Sequence, residues 1–369
     1  MTAVLSEVDT VGPVTPTLSA RAWRRRLALP VLAAALACAL VVSAGIGAFP
    51  IAPRAVLGVL LDALGVPGTL PFTAQQQAVL TTIRLPRVLL AAVVGACLAV
   101  SGATLQGLFR NPLADPVLIG VSSGAALFAA GAIVLGAGAL AGASRVVGGM
   151  LVPLAAFCGG LCATLVIYRL GRRDGGTVLS VMLLAGIAVN ALAMAGIGLF
   201  SHISTDEQLR NITFWTLGSL ASANWSMLAS LLPFIAIGLA VLLRLAAPLD
   251  ALALGEAEAE HLGVSTQSVK RRVIVCSALL VGALTAVSGI INFIGLVAPH
   301  MVRLALGPAH RLLLPASALA GAILVIGADS VARVIVAPAE LPLGVLTAFV
   351  GAPVFLLLLA RTREAGRWA

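Results

Sequence analysis

Charge is scarce in this chain of 369 residues. Only 10% of the residues are charged and 60% are hydrophobic, whereas a soluble domain carries about 25% charged residues. So few charges cannot cover the surface of a soluble protein of this length. The apolar runs are long, and each approaches the roughly 20 residues that a helix needs to cross the hydrocarbon of a bilayer. The composition therefore predicts an integral membrane protein.

Lysine is almost absent, and the one present, Lys270, lies in Ser-Val-Lys-Arg-Arg. A phosphate-binding loop needs the pattern G-x-x-x-x-G-K-[ST], so the chain cannot bind ATP in that way. The sequence also lacks the HExxH motif of zinc hydrolases. Acids inside the apolar runs are nearly missing too, with Asp329 the clearest case, whereas ion-coupled carriers bury several. We expect no enzyme, but either a passive pore or a subunit that a partner energises.

The five cysteines all lie inside apolar segments. This position excludes a disulfide framework, and no CxxC zinc pattern is present. Cys158 and Cys162 share a helix face, so a metal pair is the alternative to ordinary packing as small buried hydrophobic residues. We predict packing, with no metal and no permanently bound cofactor.

The net charge of +9 is distributed in short basic clusters between the apolar runs, which is typical of cytoplasmic loops and not of nucleic-acid binding. The first apolar run, 27–49, is too long for the h-region of a signal peptide. It therefore predicts a transmembrane helix. Residues 1–26 are predicted to be a disordered cytoplasmic segment, and 361–369 a cytoplasmic tail.

The fold class predicted is all-α: a polytopic membrane protein whose single transmembrane domain covers 27–360. Leaving out the short eighth span would put the basic tail outside, against the positive-inside rule. Ten spans put both termini in the cytoplasm. The predicted spans are 27–49, 87–107, 117–141, 147–170, 178–201, 227–247, 273–293, 295–307, 312–335 and 341–360.

An internal repeat and spaced glycines suggest how the helices pack. The sequence GACLAVSG at 95–102 recurs as GALTAVSG at 282–289, on predicted spans two and seven, which run in opposite directions. The register continues from Pro112 to Pro299 and from Gly120 to Gly307. Inverted repeats are typical of transporters, and chance similarity between Gly/Ala-rich helices is the alternative. Small-xxx-small spacing, as at Gly120/Gly124 and Gly138/Gly142, predicts close helix packing.

The connection 248–272 is predicted to lie in the cytoplasm as two short helical stretches broken at Gly263, the first acidic and the second basic. An amphipathic surface segment and a coupling helix seated in a groove of a soluble partner fit the pattern equally well.

Ordered motifs over about 80–360 resemble the FecCD family, the permease subunits of type II ABC importers for ferric siderophores, haem and cobalamin. The matching motifs are Arg84-Leu-Pro-Arg87, Ser101-Gly102 with Gln106, Asn111-Pro-Leu-Ala-Asp-Pro116, Gly120-Val-Ser-Ser-Gly-Ala125, Leu254-Gly-Glu, Leu262-Gly-Val, Ser288 to His300, Leu341-Pro-Leu-Gly-Val-Leu-Thr and Gly351-Ala-Pro.

The resemblance implies a homodimer in the bacterial inner membrane, with two ATPase subunits that use ATP and Mg and a periplasmic substrate-binding protein as partners. It implies a cytoplasmic gate at Asn111 and Leu113, whereas Thr177-Val-Leu-Ser180 departs from the family's second gate pattern. The residues implied in ATPase coupling are Leu254, Gly255, Glu256, Leu262, Gly263 and Val264.

The resemblance also implies that Arg84, Arg87 and Arg333 pair with glutamates of the binding protein, as an exposed cluster that speeds encounter. The alternatives are interfacial snorkelling for Arg84 and Arg87 and an i,i+4 pair with Asp329 for Arg333.

The cargo expected is haem, because Phe214-Trp-Thr-Leu-Gly-Ser-Leu and the 111–116 motif look most like haem permeases. A ferric-siderophore or cobalamin permease is the alternative within the family. A secondary carrier and a structural scaffold are more distant ones. The histidines are not expected to ligate haem, although His202 could meet cargo.

Overall fold

A computed structural model describes residues 16–364 except 48, 67, 69, 137, 174, 175 and 338, with side chains described within 25–357 apart from those positions and 173. Ten apolar helices form its frame. Seven of them lie within segments long enough to cross a bilayer, and three are shorter. The ten are α1 Pro16–Gly45, α4 Leu85–Leu108, α5 Val121–Leu135, α7 Leu151–Leu170, α8 Leu179–Ile203, α10 Trp225–Arg244, α13 Thr266–Ser288, α14 Ile294–Leu306, α15 His310–Ala332 and α16 Leu343–Glu364.

Shorter elements join these helices. A π-helical turn, Leu80–Arg84, leads into α4, and a 3-10 turn, Pro116–Ile119, leads into α5. The remaining elements are α2 Pro53–Ala63, α3 Ala74–Val79, α6 Ala141–Val147, a 3-10 turn Gly148–Met150, β1 Arg172–Arg173, β2 Gly176–Thr177, α9 Asp206–Leu217, α11 Ala246–Leu254 and α12 Glu256–His261. The strands pair as a two-residue antiparallel hairpin.

Each of the ten predicted spans has its helix, including the short eighth one. The prediction missed α2, α3 and α9, which are too short or too polar to register as spans. Two boundaries differ markedly from the prediction. α1 begins at Pro16, so 16–26 is helical and not disordered, while 1–15 and 365–369 lie outside the described residues. α13 begins at Thr266, because the basic stretch continues the apolar helix without a break.

Hydrogen bonds between distant segments identify one end of the bundle, here named the α12 end. Arg25 Nε on α1 donates to the carbonyl oxygen of Leu306, the last residue of α14, at 3.0 Å. Lys270 Nζ at the start of α13 donates to the carbonyl oxygen of Thr177, just before α8, at 3.1 Å.

The opposite end, named the α2 end, is identified in the same way. Arg84 Nη1, before α4, donates to the carbonyl oxygen of Ile46, after α1, at 2.7 Å. The amide of Leu343, at the start of α16, donates to the carbonyl oxygen of Gly218, after α9, at 2.9 Å. Successive apolar helices therefore alternate between the two ends, and α1 begins at the end where α16 finishes.

Glycines allow the central helices to touch backbone to backbone. A Cβ at Gly95 would overlap the backbone of Gly321 on α15, and a Cβ at Gly102 would overlap that of Gly295 on α14. Gly124 approaches α7 in the same way, as its spacing with Gly120 predicted. The prediction for Gly138 and Gly142 is wrong, because both face open space and lie outside α5 and α7.

The inverted repeat is confirmed in α4 and α13. Residues 95–102 lie on α4, which runs toward the α12 end, and 282–288 lie on α13, which runs away from it. The predicted continuation at the same offset is wrong: Pro112 lies in a loop, whereas Pro299 lies inside α14. After the first copy of the repeat, α4 is followed by a long loop, whereas after the second copy the chain turns within 289–293 and enters α14. The short helices α5 and α14, which run in opposite directions, therefore correspond instead.

Candidate functional site

At the α2 end, two arginines share one buried carboxylate. The carboxyl group of Asp329 is 1% exposed, and its Oδ1 accepts from Arg87 Nε at 3.0 Å and Nη2 at 2.9 Å. Arg333 Nε lies 3.1 Å from the other carboxylate oxygen, one helical turn further along α15. Arg87 also reaches the more exposed Glu340, with Nη1 2.8 Å from Oε1. These contacts tie α4 to α15 and to the segment before α16.

The same cluster closes the end of α1. Arg84 donates to the carbonyl oxygens of Ala44 at 3.1 Å, Ile46 at 2.7 Å and Phe49. Arg333 donates to Ile46 as well, at 2.7 Å. The last carbonyls of a helix have no partner within the helix and carry partial negative charge, so a guanidinium is the group that suits them.

The expectation of an exposed arginine cluster is therefore wrong for Arg84 and Arg333, and the side chain of Arg87 is only 11% exposed. Arg84 and Arg333 are each 7% exposed, because they turn inward to helix-end carbonyls and do not snorkel. The i,i+4 pair of Arg333 with Asp329 is present. The three side chains still meet at one cavity of about 120 Å³, which Glu340 also lines. Docking of a binding protein at these arginines stays a prediction.

At the α12 end, the 111–116 motif forms a tight loop between α4 and α5. Asn111 Oδ1 accepts from the amide of Leu113 at 2.9 Å, which is an Asx turn. Asp115 Oδ1 accepts from the amide of Val117 at 3.0 Å and starts the 3-10 turn. Burial raises the pKa of the Asp115 carboxyl, and the Val117 hydrogen bond only partly offsets it. The two residues predicted as a gate, Asn111 and Leu113, are half-buried in this loop.

The second stretch examined as a gate, 177–180, joins the hairpin to α8. The amide of Thr177 donates to Gln267 Oε1 at 2.8 Å, and its carbonyl oxygen accepts from Lys270. Both partners lie on the first turns of α13. This stretch is therefore attached to the helix that follows the 248–272 connection.

The 248–272 connection contains two short helices, but not those predicted. α11 and α12 both precede Gly263, and the break between them falls at Gly255, whose φ of +144° suits only glycine. Gly263 also has a positive φ, of +81°, and ends the turn before α13. The predicted second, basic stretch is the start of α13 itself.

Among the predicted coupling residues, two leucines are the most exposed. Leu254, at the end of α11, is 68% exposed, and Leu262, just after α12, is 64% exposed. Gly263 is exposed and Val264 half-buried. Glu256 is partly exposed, and its Oε2 lies 2.6 Å from Nζ of the buried Lys270. Coupling to an ATPase at these leucines stays a prediction.

Two features of these sites escaped the sequence interpretation. The first is the link that Lys270 makes between α12 and Thr177. The sequence did offer a signal for it, because Lys270 is the one lysine in a chain whose other strongly basic residues are arginines. The His310–Asp250 pair, with Nδ1 2.7 Å from Oδ1, joins α15 to α11. Neither pairing was visible from the sequence, since the partners lie 93 and 60 residues apart. Over the described residues, His, Cys, Asp and Glu form no group that could hold a metal ion.

The alternating apolar helices, the antiparallel pair α4 and α13, and the exposed helical turn at one end define the membrane-spanning subunit of a transporter. A profile described as the FecCD transport family matches residues 35–361. The chain belongs to this family and is a permease subunit of an ABC importer of the inner membrane. An ATPase and a substrate-binding protein are the partners that such a subunit requires.

Known proteins similar to this chain differ in cargo. It is 50% identical over 289 residues to the hemin transport system permease protein HmuU of Yersinia pestis, covering 76% of this chain and 83% of that protein. It is 39% identical over 366 residues to the cobalamin import system permease protein BtuC of Halobacterium salinarum, covering 99% and 94%. A solved structure described as an inward-facing metal-chelate type ABC transporter aligns with a TM-score of 0.78 at 33% identity, covering 90% of this chain and 98% of that one.

Proposed function

We propose that this permease carries haem across the inner membrane. The observation that supports this choice is the 50% identity to a hemin permease, against 39–42% to the cobalamin permeases. The haem-like motifs at 111–116 and 214–220 agree with it. Cobalamin and ferric siderophores are the alternative cargoes.

We further propose that two copies form a homodimer around one pathway. Asn111 and Leu113 gate that pathway at the α12 end, which faces the cytoplasm together with both termini. The Asx turn supports this role, because Leu113 lies on a loop that local hydrogen bonds hold in place without the packing of a helix. Such a loop moves at lower cost than the buried helices on either side of it.

Two ATPase subunits, which use ATP and Mg, dock at the α12 end in this proposal. Leu254 and Leu262 are the contacts, because exposed leucines outside the hydrocarbon gain most from burial against a partner. Covering one leucine side chain stabilises a complex by about 2 kcal/mol. Gly255 and Gly263 shape the backbone directly after each of the two leucines, and Glu256 holds α12 to Lys270.

A substrate-binding protein docks at the α2 end. Arg87 is the arginine best suited to pair with its glutamates, since the Arg87–Glu340 pair is the most exposed part of the cluster. Arg84 and Arg333 serve docking indirectly by holding the end of α1. Arg87→Gln should slow association about tenfold at low salt, while Arg54→Gln, an exposed arginine on α2, is the matched control. Equal rates for both variants and the parent chain would exclude Arg87 from docking.

The cargo is tested in proteoliposomes that contain the permease and its ATPase, supplied in turn with haem, cobalamin and a ferric siderophore, each on its binding protein. Haem should be taken up in an ATP-dependent way and the others should not. Uptake of cobalamin or siderophore without haem would contradict the proposal. In the same vesicles Leu254→Ser with Leu262→Ser should abolish uptake by releasing the ATPase, and Leu304→Ser, an exposed leucine on α14, should not.

A further inference from the structure

A cavity at the α12 end collects positive charge without matching negative charge. Its volume is about 580 Å³, and it lies where α1, α4, α14 and α15 meet. Arg25, Arg110 and Arg303 line it, and none of the three forms an ion pair with a carboxylate of the described residues. Asp250 also lines it, but its Oδ1 already accepts from the amide and Nδ1 of His310, at 2.9 and 2.7 Å. The cavity therefore has three guanidinium groups and one carboxylate, which already accepts hydrogen bonds from His310. This excess of positive charge makes the cavity a site for an anion.

Two buried side chains on the cavity wall have polar atoms without a partner. Gln106 and His310 are 2% and 5% exposed, and Gln106 Oε1 and His310 Nε2 accept no hydrogen bond from any described residue. Because His310 Nδ1 faces a carboxylate, it carries the proton, so Nε2 is an acceptor. Buried acceptors without a donor are costly. Both atoms are also shielded from the cavity itself, so a bound anion would be held by the three arginines.

An apolar groove lies next to the basic cavity. It has a volume of about 430 Å³ and runs between α1, α14 and α15, lined by Leu27, Ala28, Val31, Leu32, Met301, Val302, Ala305, Leu306 and Ala320. Leu27 follows Arg25 by two residues, and Val302 precedes Arg303. Arg25 Nε also donates to the carbonyl oxygen of Leu306, so the basic cavity and the apolar groove lie side by side.

We propose that the cavity and the groove together bind one anionic phospholipid of the leaflet at the α12 end. The phosphate lies among Arg25, Arg110 and Arg303, and an acyl chain lies along the groove. Basic pockets between membrane helices are suited to anionic headgroups. A free phosphate would use the cavity alone, and the groove favours the lipid.

A second basic cavity at the same end provides the comparison. It is lined by Arg244, Arg271 and Arg272 with apolar neighbours. None of the described polar atoms that are buried without a partner belongs to its lining. The two cavities thus carry the same number of arginines, and the first also has the α1–α14 groove beside it.

The site is tested by native mass spectrometry of the purified full-length permease with dioleoyl phosphatidylglycerol and dioleoyl phosphatidylcholine. Arg25→Gln with Arg303→Gln should weaken phosphatidylglycerol binding about thirtyfold. Arg271→Gln with Arg272→Gln removes the same charge and should leave binding within about twofold. An equal loss in both variants, or equal binding of the two lipids to the parent chain, would show that retention follows net charge and would overturn the proposal.

A second set of measurements separates a lipid from a soluble phosphate. Ala28→Phe fills the groove and leaves the arginines intact, so it should reduce phosphatidylglycerol binding in the same assay. Inorganic phosphate at millimolar concentration should neither displace the lipid nor raise the thermal midpoint of the parent chain. Displacement by phosphate together with unchanged binding to Ala28→Phe would identify a free-anion site and refute a lipid site. Neither readout requires transport, so failure of the haem assignment leaves this test intact.

Discussion

Asp329 holds the α2 end of the bundle together, which makes its carboxylate the sharpest place to perturb the structure. Asp329→Asn keeps the shape of the side chain and removes its charge. Arg87 and Arg333 then keep their positions but lose the charge that lies 2.9 and 3.1 Å away from them. Removing one partner of a buried ion pair costs about 3–5 kcal/mol, because the remaining charge stays buried without compensation.

The structure favours the lower end of that range. Arg87 keeps its bond to Glu340, and Arg333 keeps the carbonyl oxygen of Ile46. We therefore expect Asp329→Asn to lower the free energy of unfolding by about 3 kcal/mol. Glu340→Gln is the matched control, since it removes a carboxylate from the same arginine at a side chain that is 41% exposed. An exposed ion pair contributes about 0–1 kcal/mol.

The measurement is reversible unfolding in mixed micelles by SDS, with Arg87→Met alone and combined with Asp329→Asn to complete a double-mutant cycle. The two changes should be non-additive by more than about 1 kcal/mol, as expected for directly coupled side chains. If Glu340→Gln costs as much as Asp329→Asn, or if the cycle is additive, the shared buried carboxylate does not stabilise this end as argued.

Three further outcomes follow from the geometry. Lys270→Met should reduce the ATPase stimulation that a cargo-loaded binding protein produces, since it removes the link between α12 and the 177–180 stretch. Arg271→Met, at an exposed neighbouring residue, should keep the stimulation. Equal loss of stimulation in both variants would refute the link. Gly102→Val should prevent recovery of monodisperse protein, because its side chain would overlap the backbone of α14; Gly138→Val, in open space, should be recovered normally, and recovery of both would contradict the packing. Asp115→Asn keeps the hydrogen-bond acceptor and removes the ionisable group. Burial raises the pKa of the Asp115 carboxyl in the folded state, so the stability that this group gives the wild type is present at low pH and is lost as the pH rises through the folded-state pKa. The variant should therefore equal or exceed the wild type in unfolding free energy at pH 7 and lose this advantage near pH 4, and a deficit at pH 7 would refute the reasoning.

The sequence by itself determined the number and order of the spans. Apolar run length and charge position are local properties, and the hydrocarbon acts on each segment separately. For the same reason the short helix Ile294–Leu306 could be predicted from charge balance alone. The span count also placed the two copies of the repeat correctly on helices that run in opposite directions, and the eight-residue match itself is a local pattern.

Only the tertiary structure decided which charged groups meet. Arg84 looked exposed because it lies near the end of a span, yet its guanidinium turns to the carbonyls that end α1, a helix about 40 residues away in the sequence. Lys270 looked like one of three exposed basic residues, yet it is buried against Glu256 and Thr177. A buried charge must find its partner wherever the fold brings one. That choice depends on helix packing in three dimensions, which no local pattern of residues records.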